Sequence, residues 1–208
     1  IIESHSPCIA LTAHTGNWEL MAAYFASLGI RVVTIGRVTR NRFAHRLVST
    51  LREHYGVHTV WRSGLQGHRE IVKILKSGGT IAALIDQDTH VSSVNSTFFG
   101  NFARTPSSLI ELGLRHNASF VTAFNFRQPN NTFLVRVEEL HERTVEGLVN
   151  SYNSRLEEYI RQFPGQWVWF HKRWRSLPSG ERLSSSAYEE WLQQATESLS
   201  LVTEEASS

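Results

Sequence analysis

A histidine, a turn and a carboxylate form the first pattern in the 208-residue chain that could do chemistry. His14 ends a short apolar run and is followed by Gly16 and Asn17, which suit a turn, while Glu19 falls in the first turn of the next predicted helix. With His14 in the turn, the Glu19 carboxylate can fold back toward the imidazole, which a continuous helix would not allow at this spacing. Such a pair fixes the histidine tautomer and leaves the other ring nitrogen free to take a proton from a hydroxyl group. No G-x-S-x-G motif is present, so we expect the substrate to bring the nucleophile.

Two further polar clusters follow predicted strands. Arg37 comes after the second strand, and Asp-Gln-Asp at residues 86–88 follows a strand over Thr80–Ile85. Because ligands bind where the carboxyl ends of parallel strands meet, we expect these clusters to share one site with His14. The structural alternatives are a histidine paired only with backbone, an Asp86 that caps a turn, and arginines on a solvated helix face.

The segment between Leu20 and Arg52 carries one sign of charge. It contains no acidic residue, and its positive side chains are all arginine: Arg31, Arg37, Arg40, Arg42, Arg46 and Arg52. Guanidinium groups bind phosphate bidentately and attract acidic proteins or anionic lipid head groups. The sequence therefore favours an anionic partner, with a solvated helix face as the alternative.

Residues 167–175 interleave tryptophan and phenylalanine with histidine, lysine and arginine. This pattern suits a membrane–water interface, single-stranded nucleic acid, or a half-buried strand. The net charge of +2 is small for a dedicated nucleic-acid-binding protein, so we expect no nucleic acid partner.

The elements that must position these residues alternate along the chain. Predicted strands are Cys8–Ala13, Arg31–Ile35 and Thr80–Ile85. Predicted helices are Trp18–Leu28, Phe43–His54, a segment with its core at Ile71–Lys76, a helix that Thr105-Pro106 opens and that ends at His116, and Val145–Gln162. A hairpin is predicted from Phe120–Phe126 and Phe133–Val137. Nearly all-apolar strands separated by helices indicate an α/β fold: a largely parallel central sheet with covering helices and an antiparallel hairpin at one edge. A single cysteine, Cys8, excludes an internal disulfide and a multi-cysteine zinc site.

The box from His14 to Glu19 resembles the H-x4-[DE] motif of the lysophospholipid and glycerol-phosphate acyltransferase superfamily, in the glutamate form found in bacterial lipid A late acyltransferases. H-x4-E alone is weak evidence, and the rest of the chain carries the resemblance. Later parts of the family pattern are matched in order by Asp86–Asp88, Phe98–Gly100, Thr105-Pro106 and residues 166–174. Order and spacing agree over roughly residues 11–176.

The resemblance implies transfer of a fatty acyl chain from an acyl carrier protein thioester to a hydroxyl of a lipid A precursor or related glycolipid, without an acyl-enzyme. In that mechanism His14 is the general base, Glu19 orients it, and Arg52 stabilises the oxyanion or binds a phosphate. Asp86 matches a further acid of the family, which we expect to hold Arg52 or Arg37. Candidate substrate contacts are Asn17, Arg37, Arg40 and Asp88.

The resemblance also implies a place in the cell. We expect an acyl carrier protein and a membrane surface as partners, at the cytoplasmic face of the bacterial inner membrane, and neither a cofactor nor a metal ion. The sequence starts at Ile1 without methionine, so we expect an N-terminally truncated catalytic domain over residues 1–178, with the membrane anchor upstream. Residues 179–208 are expected to form a Ser-rich tail with a short helix.

Two alternatives remain at this point. Residues 86–88 could hold a divalent ion and a nucleotide-sugar pyrophosphate in a metal-dependent glycosyltransferase, although this leaves His14 and Glu19 unexplained. The arginines and the aromatic run could also form a non-enzymatic module that binds anionic lipid.

Overall fold

The computed structural model describes residues 6–39, 41–61 and 64–194. Its elements along the chain are β1 (Cys8–Thr12), α1 (Trp18–Ser27), β2 (Val32–Gly36), α2 (Arg42–His54), β3 (His58–Trp61), α3 (Gly64–Lys76), β4 (Thr80–Leu84), β5 (Ser93–Phe98), β6 (Asn101–Pro106), α4 (Ser108–Arg115), β7 (Ser119–Arg127), β8 (Phe133–Leu140) and α5 (Val145–Gln162). Two short 3-10 helices follow, at Pro164–Gln166 and Trp169–His171.

Six strands form one sheet in the order β3-β2-β4-β1-β7-β8. Strand β1 lies between β4 and β7 and is parallel to both, and β2 pairs in parallel with β3 and β4. The edge strand β8 pairs antiparallel with β7, and its register places Phe120 opposite Leu140. The predicted α/β fold and the antiparallel hairpin at one edge are confirmed.

The two faces of the sheet are packed differently. On one face, large side chains of β1, β4 and β7, such as Ile9, Ile81 and Phe120, join α3, α4 and α5 in the main hydrophobic core. On the other face, Cys8, Ala10 and Val121 form a second, much smaller buried cluster. Helices α1 and α2 lie on this second side, because the crossovers β1-α1-β2 and β2-α2-β3 run in the same direction across the sheet.

The β5–β6 hairpin was not predicted, and it corrects one predicted helix start. Thr105 and Pro106 end strand β6, and α4 begins at Ser108. The hairpin escaped prediction because β5 reads Ser-Val-Asn-Ser-Thr-Phe, without the apolar run or clean alternation that marks a strand. Of the three alternatives for residues 167–175, the half-buried strand is not formed, since this segment contains the second 3-10 helix and turns.

The described part of the C-terminal tail packs on the domain. Ser176 forms an isolated bridge with Arg182, residues 185–194 are helical, and Tyr188 is buried. The division at residue 178 stays a prediction. Among the described residues, no helix has the length and apolar character that crossing a membrane requires.

Candidate active site

The turn after β1 is held in a conformation that only glycine fits comfortably. Gly16 has φ +51°, and a Cβ at this position would lie 2.4 Å from the backbone oxygen of Asn125 in β7. The Asn17 side chain caps α1 by accepting a hydrogen bond from the Leu20 N–H, at 3.0 Å. Asn125 in turn donates its side-chain amide to the Asn17 carbonyl at 2.7 Å. The turn therefore fixes the position of His14 between β1 and β7.

The carboxylate that His14 contacts is Asp86. The Nδ1–H of His14 donates to Asp86 Oδ1 at 2.7 Å, and the His14 backbone N–H donates to Oδ2 at 2.8 Å. The register of β1 and β4 explains the contact, because Thr12 pairs with Leu84 and each functional residue lies two positions further on. The carboxylate thus selects the tautomer in which His14 Nε2 carries the lone pair.

Asp86 is kept ionised although no part of its side chain is exposed. Burial by itself raises the pKa of Asp86, but the hydrogen bonds and charge of His14, together with the Trp167 indole, outweigh burial and lower the pKa overall. The indole Nε1–H donates to Asp86 Oδ2 at 3.0 Å. Three donors therefore fix this carboxylate in orientation and charge.

The other nitrogen of His14 faces a side-chain amide and a second histidine. The Nε2 amide nitrogen of Gln87 lies 3.3 Å from His14 Nε2 and 2.9 Å from His171 Nδ1. The two imidazole rings have their centroids 4.4 Å apart. Burial, followed by the proximity of His14, lowers the pKa of His171 to about 4, so His171 is neutral at pH 7.

Glu19 has a different partner from the one that the spacing predicted. It accepts two hydrogen bonds from Arg52, from Nε–H at 2.7 Å and from an Nη2–H at 2.6 Å. The expectations that Glu19 orients His14 and that Asp86 holds an arginine are both wrong in this geometry. Two pairs form instead, His14 with Asp86 and Arg52 with Glu19.

A cavity of 880 Å³ opens beside these pairs on the thinly covered face of the sheet. Its wall includes Glu19, Arg52 and Trp18, and the Trp18 ring packs edge-on against His14 with centroids 4.8 Å apart. The cavity floor is made of small side chains, among them Ala10 and Ala82. A polar reaction centre thus lies next to an apolar chamber, as suits a substrate with a long apolar chain.

A family model for bacterial lipid A biosynthesis acyltransferases matches residues 3–176. That span contains the histidine box, both charged pairs and the aromatic segment after α5. The chain belongs to this family. No curated protein matches it. The resemblance drawn from the motifs is therefore confirmed, and the protein is an acyltransferase.

The predicted substrate contacts of the acyltransferase are distributed around the site. Asn17 is committed to the cap of α1, while Arg37 is exposed just after β2. Asp88 is buried and accepts a hydrogen bond from the Ser176 backbone N–H at 2.8 Å, which gives it a structural partner rather than an open face. Arg40 lies outside the described residues.

Several functional residues escaped sequence reasoning. Gln87, Trp167 and His171 lie inside the matched motifs without a predicted role, and Tyr152 lies in the predicted helix Val145–Gln162, also without one. The Tyr152 hydroxyl donates to the Thr12 carbonyl at 2.9 Å and so ties α5 to the end of β1. The signal was present in the order of the motifs, but the contacts join residues more than 70 positions apart.

Arg173 of the acyltransferase fastens the C-terminal segment. It is fully buried, and it donates to the Arg104 carbonyl and to Thr105 Oγ1, each at 2.6 Å. Its guanidinium also lies 5.1 Å from the Phe98 ring centroid. Burial lowers the pKa of Arg173 from its ordinary value. This arginine therefore attaches the segment that carries His171 to the β5–β6 hairpin.

Residues 86–88 do not present an open pair of carboxylates, so the glycosyltransferase alternative has no support. Asp86 is occupied by His14 and Trp167, and Asp88 by Ser176 and Arg182. One atom each of His14, Asp86 and His171 lies within 4.8 Å of the others, a spacing at which a metal ion could bind. The expectation of a metal-free reaction therefore stays a prediction, which activity in the presence of EDTA can check.

Proposed function

We propose that this acyltransferase moves a fatty acyl chain from the thioester of an acyl carrier protein to a hydroxyl of a lipid A precursor or related glycolipid. The observation that carries the proposal is the His14–Asp86 pair, which leaves the lone pair on Nε2 and lies against Trp18, a residue of the apolar cavity wall. The same arrangement suits any acyl transfer in which the substrate supplies the attacking hydroxyl.

His14 acts as general base. Its Nε2 takes the proton of the acceptor hydroxyl as the oxygen attacks the thioester carbonyl carbon, and Asp86 stabilises the resulting imidazolium. The tetrahedral intermediate then collapses: the new C–O bond remains, the C–S bond breaks, and the imidazolium returns its proton to the leaving thiolate. Atoms and charge balance without an acyl-enzyme or a cofactor.

The Glu19–Arg52 pair works as an anion-binding unit. Glu19 accepts from the Nε–H and one Nη2–H of Arg52, and Thr59 Oγ1 accepts from an Nη1–H at 3.3 Å. These bonds fix the plane of the guanidinium and leave one N–H on each Nη nitrogen for other acceptors. We propose that these groups receive the developing oxyanion or a phosphate of the glycolipid.

Gln87 and His171 prepare the basic nitrogen. The Gln87 amide donates toward His14 Nε2, the atom that must later accept the substrate proton, so the acceptor hydroxyl takes the place of this amide hydrogen. His171 receives the other amide hydrogen of Gln87 and stays neutral. A second imidazole that remains uncharged keeps the amide in place without a competing positive charge.

The 880 Å³ cavity is the proposed site of the acyl chain. Ala10 and Ala82 leave room along the sheet, and Glu19 and Arg52 add a charged pair to the wall. Arg31, which lines the cavity, and Arg37 are both exposed and suit the acidic carrier protein or the glycolipid phosphates. We propose that the reaction takes place at the cytoplasmic face of the bacterial inner membrane.

The experiment that tests the proposal supplies the purified chain with acyl-carrier-protein thioester and a lipid A precursor, and identifies the product by mass spectrometry. We expect an added acyl chain that appears equally with and without EDTA. Parallel reactions with acyl-coenzyme A and with a nucleotide sugar test the donor. Transfer of a sugar, or acyl transfer abolished by EDTA and restored by a metal ion, would contradict the proposed chemistry.

A further inference from the structure

Helix α2 exposes a stripe of large apolar side chains. Phe43, Leu47, Leu51 and Tyr55 follow one another at four-residue spacing, and they are 88%, 62%, 47% and 56% exposed. No residue of α2 is buried, and the opposite side of the helix carries Arg52, which reaches Glu19. The helix is amphipathic, but its apolar side faces away from the protein.

Helix α1 adds a second stripe on the same side of the sheet. Leu20, Tyr24 and Leu28 recur at the same spacing and are 45%, 48% and 55% exposed. We call the two stripes together the α1–α2 face. An amphipathic helix normally turns its apolar stripe toward the core, so two stripes that face outward mark a surface of interaction.

The charge around the α1–α2 face is positive. Arg31, Arg37, Arg42 and Arg46 are exposed, and within the described ranges none of the four forms an ion pair. No acidic residue occurs between positions 20 and 52. Apolar stripes flanked by arginines are typical of helices that lie in the interface of an anionic bilayer.

We propose that the α1–α2 face docks on a bilayer that contains anionic lipid. The apolar stripes enter the boundary between head groups and acyl chains, and the arginines contact phosphates. The inner side of α1 lines the cavity, so docking would place that cavity directly above the lipid. An acidic carrier protein would satisfy the arginines, but it would leave side chains as large and exposed as Phe43 and Leu47 without an apolar environment, so the bilayer is the better match.

The test is flotation of the 208-residue chain with vesicles of phosphatidylcholine alone or mixed with phosphatidylglycerol. We expect binding to the mixed vesicles that weakens at high salt. Phe43→Ser and Leu47→Ser should each weaken binding by about tenfold or more, and Arg42→Ala and Arg46→Ala by about fivefold each. Vesicle binding requires no acyl donor, so the two assays are independent. Vesicle binding can fail while acyl transfer is observed, and acyl transfer can fail while vesicle binding is observed.

Helix α3, on the other face of the sheet, supplies matched controls. Leu65→Ser removes a side chain that is 78% exposed, and Arg69→Ala with Lys73→Ala removes two exposed charges. These variants should bind vesicles like the unmodified chain, and circular dichroism should show all variants folded. The proposal would be overturned if the α3 variants lost as much vesicle binding as the α1–α2 variants, or if the α1–α2 variants lost none. It would also be overturned if the α1–α2 variants lost binding to the carrier protein but kept binding to vesicles.

Discussion

The carboxylate of Asp86 combines complete burial with three hydrogen-bond donors. A buried charge is tolerated only when it is paired in this way, and the pairing serves the tautomer of His14. Glu19, 40% exposed and bound to Arg52, has a looser environment on the cavity wall. In the proposed mechanism the two acids therefore have different roles: Asp86 orients the base, and Glu19 fixes a guanidinium that binds an anion.

Replacing the Asp86 carboxylate by an amide of the same shape should slow the reaction without leaving a gap in the site. We predict that Asp86→Asn lowers kcat by about a thousandfold or more, because the amide no longer selects the basic tautomer or stabilises the imidazolium. Product formation measured by mass spectrometry gives the rate. Asp88→Asn is the matched control, since it puts an amide in place of a neighbouring buried carboxylate; a similar fall in kcat for both variants would contradict a specific role for Asp86.

His171 makes a pH prediction with a definite sign. Its pKa is about 4 in the folded protein and 6.5 in the unfolded chain, so between these values the unfolded state binds more protons. The stability linked to a neutral His171 is fully present above pH 6.5 and is lost as the pH falls toward 4. Because the ring is partly exposed, we expect a loss of about 2 kcal/mol.

Urea unfolding of the protein and of His171→Gln, measured at several pH values, checks this prediction. The variant keeps a polar side chain that does not titrate, so its stability should fall less than that of the unmodified protein between pH 6.5 and 4. Parallel stability curves for the two proteins would show that His171 is not held neutral by its surroundings.

At the scale of elements, the turn after β1 determines where His14 lies. We predict that Gly16→Ala destabilises the protein by about 2 kcal/mol or more and lowers acyl transfer, because a left-handed backbone is combined with a clash against the Asn125 carbonyl. Gly29→Ala is the control: Gly29 has φ +80° but nothing within 4 Å of its Cβ position. Urea unfolding measures the loss of stability and rate measurements the loss of acyl transfer in both variants. Normal activity in Gly16→Ala would contradict the role of the turn.

Elements with strong local patterns were predictable, and those without were not. The mostly apolar strand Cys8–Thr12 and the capped helix that starts after Asn17 follow from local rules. The four-residue strand β3 and the polar hairpin β5–β6 carry no such pattern. The site shows the same dependence on local pattern. The motifs identified both acids, but the β1–β4 register determines which of them contacts His14, and the sequence around residues 14 and 86 does not reveal that register.

The whole molecule has one densely packed and one sparsely packed sheet face. Large side chains fill the first face against three helices, whereas the second keeps small residues at Cys8, Ala10 and Ala82 beneath α1. The 880 Å³ cavity on this face falls within the size range of ligand pockets, roughly 300–1,000 Å³. The asymmetry makes sense if a substrate chain occupies the cavity.

Filling that cavity should change the product. We predict that Ala82→Leu, which projects a larger side chain from the cavity floor, shifts acyl transfer toward shorter chains while the free energy of unfolding changes by less than about 2 kcal/mol. Competition among acyl donors of different length, with products resolved by mass spectrometry, measures the shift. An unchanged distribution of chain lengths would place the acyl chain elsewhere.

The pairing of His14 with Asp86 is tested most directly by the acyl-transfer rates of His14→Ala, Asp86→Asn and the double variant. Since Asp86 acts through His14, we predict that the double variant is no slower than His14→Ala alone, although each single change costs a large factor. General-base catalysis by this pair would be contradicted if the fold-losses in rate of the two single variants multiplied in the double variant. It would also be contradicted if His14→Ala kept more than about a tenth of the original rate.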